Sequence, residues 1–274
     1  MNTILIPTDF SPVADNALKY AMDMATHYQL DITLFHVVQL STPSVANVVY
    51  IDTMTDLSNN AEEKMASKVV ALKEQYPHLN FSFKVETGLL LDSLESYCEE
   101  IKPIAIVMGI TGDGTGVDKI IGSNAILAMN TLTNPLIIVP KSGYFKSVNK
   151  VCFACDLQNV ATSTPLLAIK AFAKLFNSEV HILNIDYKNR HFSPNTQSEI
   201  DVLNLMFDTI PHHFHFIENE SVQDAISDFI DANEMDMLIM LPKKHSFFAS
   251  LFKKSQTKEM LYQSHIPILA LHQH

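Results

Sequence analysis

Tryptophan is absent from this chain of 274 residues, and glycine is scarce, with seven in all. Cysteine occurs three times, as Cys98, Cys152 and Cys155, which is too few for a disulfide framework. No apolar run reaches the roughly 18 residues that a membrane-spanning helix needs. The opening MNTILIPTDF has no basic stretch leading into an apolar one, so no signal peptide is expected, and the cytoplasm is the expected compartment. Positive charge is in short supply too: 19 Lys and Arg stand against 30 Asp and Glu, for a formal net charge of −11. A surface of that sign repels nucleic-acid backbones and anionic membranes, so neither is expected as a partner. The local exception is a run of lysines near the end, Lys243, Lys244, Lys253, Lys254 and Lys258. Cys152 and Cys155 form a C-x-x-C, but in VCFACD, where a strand runs into a loop. A redox thiolate of that motif needs a helix N-terminus, so the two read as small buried hydrophobes.

What the chain has in quantity is apolar residues, 47% of the total, enough to bury cores. Their spacing alternates between strand and helix periods. Strand signals lie at Thr3–Pro7, Asp31–Val38, Asn80–Glu86, Pro103–Met108 and Leu136–Val139. Helix signals lie between them at Ala14–His27, Ala61–Tyr76, Leu91–Ile101 and Ser123–Leu132, and Ser41–Asn60 is a polar stretch without clear period. Strands alternating with helices imply a parallel sheet covered by helices on both faces, an α/β fold.

The order then repeats. Strands are expected at Lys150–Ala154, Glu179–Ile185, His213–Ile217, Met235–Leu241 and Ile268–Leu271, with helices at Thr164–Phe176, Ser198–Asp208, Val222–Ala232 and near Ser255–Gln263. Landmarks align across the halves: Phe35-His36-Val37 with Leu183-Asn184-Ile185, Asp9 with Asp156, and Pro135–Val139 with Pro267–Leu271. A duplicated unit is the simplest reading, with domains at 1–143 and 148–274.

Five of the seven glycines fall between Gly109 and Gly122. They occupy the segment between a buried strand and a helix. Parallel sheets bind ligands at the carboxyl ends of their strands. A loop free of Cβ atoms can wrap phosphates with its N–H groups, and the helix that follows offers further N–H donors. Ser123 and Asn124 add side-chain donors. Pro7-Thr8-Asp9 ends the first strand at the same edge, where a carboxylate can accept from a ribose hydroxyl or a base amine.

These residues resemble the universal stress protein family in a tandem form. ILIPTDFSPVADNALKYA looks like that family's first strand, acidic loop and first helix; LFHVV and NPLIIVPK look like its second and closing strands. Gly109, Gly112, Gly122 and Ser123 match its ATP-binding signature, G-x2-G-x9-G-[S/T]. The resemblance implies two Rossmann-like domains of the adenine nucleotide alpha hydrolase type, each a five-stranded parallel sheet flanked by helices. It implies ATP or another adenine nucleotide in the first domain. Pro7, Thr8 and Asp9 would contact the adenosine, Val37 or Val38 would line the adenine pocket, and Met108 and Gly109 would flank base and ribose. Gly112, Gly122, Ser123 and Asn124 would hold the phosphates, with Mg²⁺ bridging phosphate oxygens. It also implies an intramolecular pseudo-dimer through the closing strands, Leu136–Val139 against Ile268–Leu271, and leaves a homodimer open. One departure is that the loop carries Ile110-Thr111 where relatives often have a basic residue, with Asp113 and Asp118 added; this leaves ADP, AMP or a cyclic nucleotide open beside ATP.

In the second half Pro242, His245 and Ser255-Gln256 stand where the glycine motif would be, and Phe247, Phe248, Leu251 and Phe252 crowd the segment. A phosphate cradle is not expected there; a docking patch is. His213 and His215 share a strand face but lack a third metal ligand, His36 reads as a satisfied core histidine, and Glu95, Glu99 and Glu100 as a solvated helix face. No G-x-S-x-G elbow or base–nucleophile pair is visible. The expected function is therefore stress-response regulation by nucleotide binding with little or no catalysis. A slow ATPase or other nucleotide-using enzyme and a ligand-free scaffold are the alternatives.

Overall fold

The chain is described from a computed structural model, covering residues 2–39, 47–110, 123–186, 196–242 and 264–272. It divides into two compact units, Met1–Met108 and Gly109–His274. The expected helix at Ser255–Gln263, the lysine and phenylalanine segment, His245, Gly112 and Gly122 lie outside the described residues.

In the first unit β1 (Thr3–Pro7) leads into α1 (Pro12–Tyr28). Ser11 caps α1 by accepting from the Ala14 N–H at 3.3 Å, and Pro12 pre-sets the first turn. Ala14, Ala17, Leu18, Ala21, Met22 and Ala25 form its buried stripe. The small alanines let the helix sit close on the sheet. The helix stops at Gln29, which turns left-handed with φ 55°. Then come β2 (Asp31–Gln39), α2 (Asn47–Gln75), β3 (Phe81–Gly88), α3 (Leu90–Ile101) and β4 (Ala105–Gly109). The α2 helix reaches back well into the Ser41–Asn60 stretch, which has no clear apolar period to announce it. Its readable half is the part with Ala61, Met65, Val69 and Leu72 buried at helical spacing. The strands of this unit lie in the order β3-β2-β1-β4, each neighbouring pair parallel.

The second unit holds α4 (Ser123–Thr131) and β5 (Leu136–Val139), then β6 (Lys150–Ala154), α5 (Val160–Ser163), α6 (Leu166–Phe176), β7 (Glu179–Asp186), α7 (Thr196–Met206), β8 (His212–Glu218), α8 (Val222–Asn233), β9 (Met237–Met240) and β10 (Ile268–Ala270). The helix expected over Thr164–Phe176 is found as α6, and α5 before it was not anticipated. Pro165 lacks the N–H that would continue α5, so the chain breaks at Thr164-Pro165 and restarts. The order here is β5-β10-β9-β6-β7-β8. All pairs among β10, β9, β6, β7 and β8 are parallel, and β5 is antiparallel to β10.

Each repeat thus supplies five strands, β1–β5 and β6–β10. The expected contact of closing strands is present in register, Ile268 opposite Ile138 and Ala270 opposite Leu136. That pairing explains why compactness divides the chain at Met108–Gly109. By sequence β5 belongs to the first repeat; by hydrogen bonding it is tied to the last strand of the second. Both strands are buried along their whole length, so the pairing is a core contact.

Candidate functional site

The carboxyl ends of β1, β2 and β4 face one edge, because the three strands are parallel. Pro7 is buried and closes β1, Thr8 is 5% exposed, and Asp9 is exposed just beyond it. A short network fixes this turn. The Thr8 N–H donates to the Phe35 carbonyl at 2.8 Å, which extends the β1–β2 ladder by one bond. The Phe10 N–H donates to Thr8 Oγ1 at 3.0 Å, and the Ser11 N–H donates to Asp9 Oδ1 at 2.9 Å. Asp9 therefore uses one carboxylate oxygen to shape the turn, as short polar side chains do in Asx-turns. Phe10 takes the left-handed region, φ 62°, and its ring carries the Lys64 ammonium at 3.8 Å from the centroid.

The register places the other expected residues. Pro7 pairs with Phe35, so Val37 and Val38 continue past the end of β1 beside the turn, both buried. Leu5 pairs with Ile106, and two residues further along that parallel register Met108 stands level with Pro7. Pro7, Thr8, Asp9, Val37, Val38 and Met108 are thus brought to one edge of the first unit. Gly109 is the last residue of β4. In the second unit the Ile110 N–H donates to the Val139 carbonyl at 2.9 Å, α4 starts at Ser123, and Asn124 is exposed in its first turn.

His36 is half-buried and has a partner, as a core histidine should. Its Nδ1 lies 2.7 Å from the Thr8 carbonyl oxygen. A carbonyl only accepts, so Nδ1 carries the proton and donates. The ring also meets Phe10 at 4.8 Å between centroids.

The second repeat builds the same turn from different side chains. The Cys155 N–H donates to the Leu183 carbonyl at 2.9 Å, as Thr8 does to Phe35. The Gln158 N–H donates to Asp156 Oδ1 at 3.2 Å, as Ser11 does to Asp9. Leu157 is left-handed at φ 51°, where Phe10 is. Asn184 Nδ2 donates to the Cys155 carbonyl at 3.0 Å, in the place of His36 Nδ1. The alignment of Asp9 with Asp156 and of His36 with Asn184 is therefore a correspondence of hydrogen bonds. Only the aligned carboxylates were visible in advance; the left-handed residues and the histidine and asparagine anchors were not, the latter because their partners are backbone carbonyls.

Both cysteines of the C-x-x-C are buried, and burial pushes the Cys152 thiol up, which disfavours the thiolate. Burial, with Glu95 adding to it, pushes Cys98 up to about 12.

His213 and His215 gain a companion from β7. His181 Nδ1 lies 3.0 Å from His215 Nε2, and His181 Nε2 lies 3.0 Å from Glu179 Oε1. His213 Nε2 is 3.5 Å from the other Glu179 oxygen. The hydrogen bond from His181 is the main reason the Glu179 carboxyl sits below its usual range. Burial, then the charges of His181 and His213, lowers His215. Among the described residues no group of three or more His, Cys, Asp or Glu is arranged to hold a metal ion. Nor is any helix among them long and apolar enough to cross a membrane.

The model of the universal stress protein family matches residues 1–140 of this chain. Universal stress protein Slr1230 of Synechocystis sp. is 22% identical over 294 aligned positions that cover 98% of this chain and 99% of that protein. In fold, the chain is similar to the crystal structure of a universal stress protein from Archaeoglobus fulgidus, with a TM-score of 0.66 at 16% identity, covering 99% of this chain and 96% of that one. A universal stress protein family protein from Arabidopsis thaliana, solved with AMP bound, covers 51% of this chain and 92% of its own at 14% identity and a TM-score of 0.34. With the family model spanning the first repeat and full-length relatives spanning both, the chain belongs to the universal stress protein family.

Proposed function

We propose that this protein binds one adenine nucleotide, ATP or a close relative, through its first repeat and serves as a stress-response regulator with little or no catalysis. The observation that carries the reading is the Thr8–Asp9 turn. It holds an exposed carboxylate, with one oxygen committed to the backbone, at the strand edge that also presents Val37, Val38 and Met108. Such an edge suits a flat apolar base with a hydroxylated sugar beside it. Asp9 accepts from the ribose or base, Val37 or its neighbour Val38 lines the adenine pocket, and Met108 and Gly109 flank base and ribose. The glycine-rich segment that follows Gly109 supplies phosphate donors from Gly112, Gly122, Ser123 and Asn124. Asp113 and Asp118 repel a triphosphate, so Mg²⁺ strengthens binding of ATP more than of AMP. The second repeat keeps the acidic turn at Asp156 but not the glycines, and binds no nucleotide. The closing-strand pairing makes the chain its own pseudo-dimer, acting in the cytoplasm.

A thermal-shift panel of ATP, ADP, AMP and cAMP, each with and without Mg²⁺, tests the reading. Stabilisation by at least one of them at millimolar concentration is expected. No shift with any would leave the ligand-free scaffold as the better account. Steady release of phosphate from ATP at about 1 s⁻¹ or faster would make the protein an enzyme.

A further inference from the structure

The bond from His36 to Thr8 has a consequence for the ligand. We propose that His36 is a positioning residue: its Nδ1–H sets the carbonyl of Thr8 and so fixes the turn that presents Asp9 to the nucleotide. The residue sits in β2, one position before the pocket-lining valines, and reaches across to β1. Of the residues expected at the ligand it bonds Thr8, through the backbone carbonyl. Its effect is transmitted through Thr8, whose side chain in turn receives the Phe10 N–H. Phe10 must hold a left-handed backbone that a bulky residue adopts rarely, so the turn depends on bonds that enforce it.

The second repeat shows that the requirement is for a donor and not for an imidazole. Asn184 makes the equivalent bond at 3.0 Å from the equivalent strand position. The backbone ladder beside it matches, with Cys155 to Leu183 in place of Thr8 to Phe35. An amide at position 36 is therefore long enough to reach. The ring contact between His36 and Phe10 is dispensable on the same grounds, since Leu157 holds the same backbone with no ring.

The ligand half of this inference rests on the proposed nucleotide site; the turn half does not. The experiment reads both in the full chain with three variants, His36→Asn, His36→Leu and His36→Ala. Amide hydrogen exchange at Phe10 and Ser11 is measured without ligand, and ATP–Mg²⁺ affinity by calorimetry. His36→Asn is expected to keep wild-type protection and an affinity within about threefold. His36→Leu and His36→Ala are expected to lose protection at both amides and to bind about tenfold more weakly. If His36→Leu does not fold, His36→Ala, which adds no bulk, decides. Wild-type protection and affinity in the folded apolar variants would overturn the inference. So would an asparagine variant as impaired as the leucine one. Absence of binding by the wild type to ATP, ADP, AMP and cAMP alike would defeat the nucleotide reading, while exchange at Phe10 and Ser11 would still decide whether His36 sets the turn.

Discussion

At the scale of single residues, Asp9 has two separable duties. Its Oδ1 accepts the Ser11 N–H and shapes the turn, and under the proposed function its charge meets the nucleotide. An asparagine can do the first and not the second. Asp9→Asn is thus expected to keep wild-type stability, while Asp9→Ala loses about 0.5–1.5 kcal/mol in denaturant unfolding, the usual worth of such a bond. Both should weaken nucleotide binding. An Asp9→Asn variant with unchanged affinity would remove the carboxylate from the ligand contacts and leave it a turn residue only. The same division applies to Asp156, whose turn bond survives in a repeat without the glycines.

At the scale of elements, the histidines of β7 and β8 tie acid sensitivity to one pair of strands. The His181–His215 bond needs one nitrogen to donate and the other to accept. A second proton leaves two donors facing each other, with His213 close by and the Glu179 carboxylate able to offset only part of the charge. The neighbours in β6 are Lys150 and Cys152, and α8 meets His215 through Phe229. The folded state holds His215 below its ordinary value of 6.5, so the unfolded chain takes the proton first. Its contribution is complete above that value and is lost as pH falls toward the lowered folded value. Glu179 is also lowered in the folded state, so its contribution is full above the usual carboxylate range and is lost only in stronger acid. Both act in one direction. The melting temperature should fall from pH 7 to pH 5, and His215→Leu should flatten that slope. An equal slope in the variant would place the acid sensitivity elsewhere.

This cluster also shows where sequence reading stops. His213 and His215 announced a shared strand face, but His181 lies more than thirty positions away and meets them only because β7 and β8 are neighbours. The strands were legible because β1, β4 and β9 are short apolar runs bounded by polar turns. The α5 turn was not, since Val160–Ser163 has no apolar period; its first N–H is satisfied from a distance by Glu199 Oε2 at 2.8 Å. The Asp9 edge could be anticipated from strand order alone, whereas the His36 anchor required knowing which carbonyl faced the ring.

At the scale of the whole molecule, duplication has kept the framework and changed the segment that follows the fourth strand. Both repeats share strand order, the acidic turn, the left-handed residue after it and a side-chain donor on its carbonyl. The closing strands, identical in role, pair with each other through β5 and β10. What differs is the segment after the fourth strand: five glycines within Gly109–Gly122 in the first repeat, and Pro242 followed by lysines and phenylalanines in the second. A backbone cradle tolerates no such bulk, so under the proposed function each chain binds a single nucleotide. Calorimetric titration of the full chain with ATP–Mg²⁺, repeated on Gly122→Val, tests this most directly. One nucleotide per chain is expected, with binding abolished in the variant. Two per chain, or full binding by Gly122→Val, would contradict it.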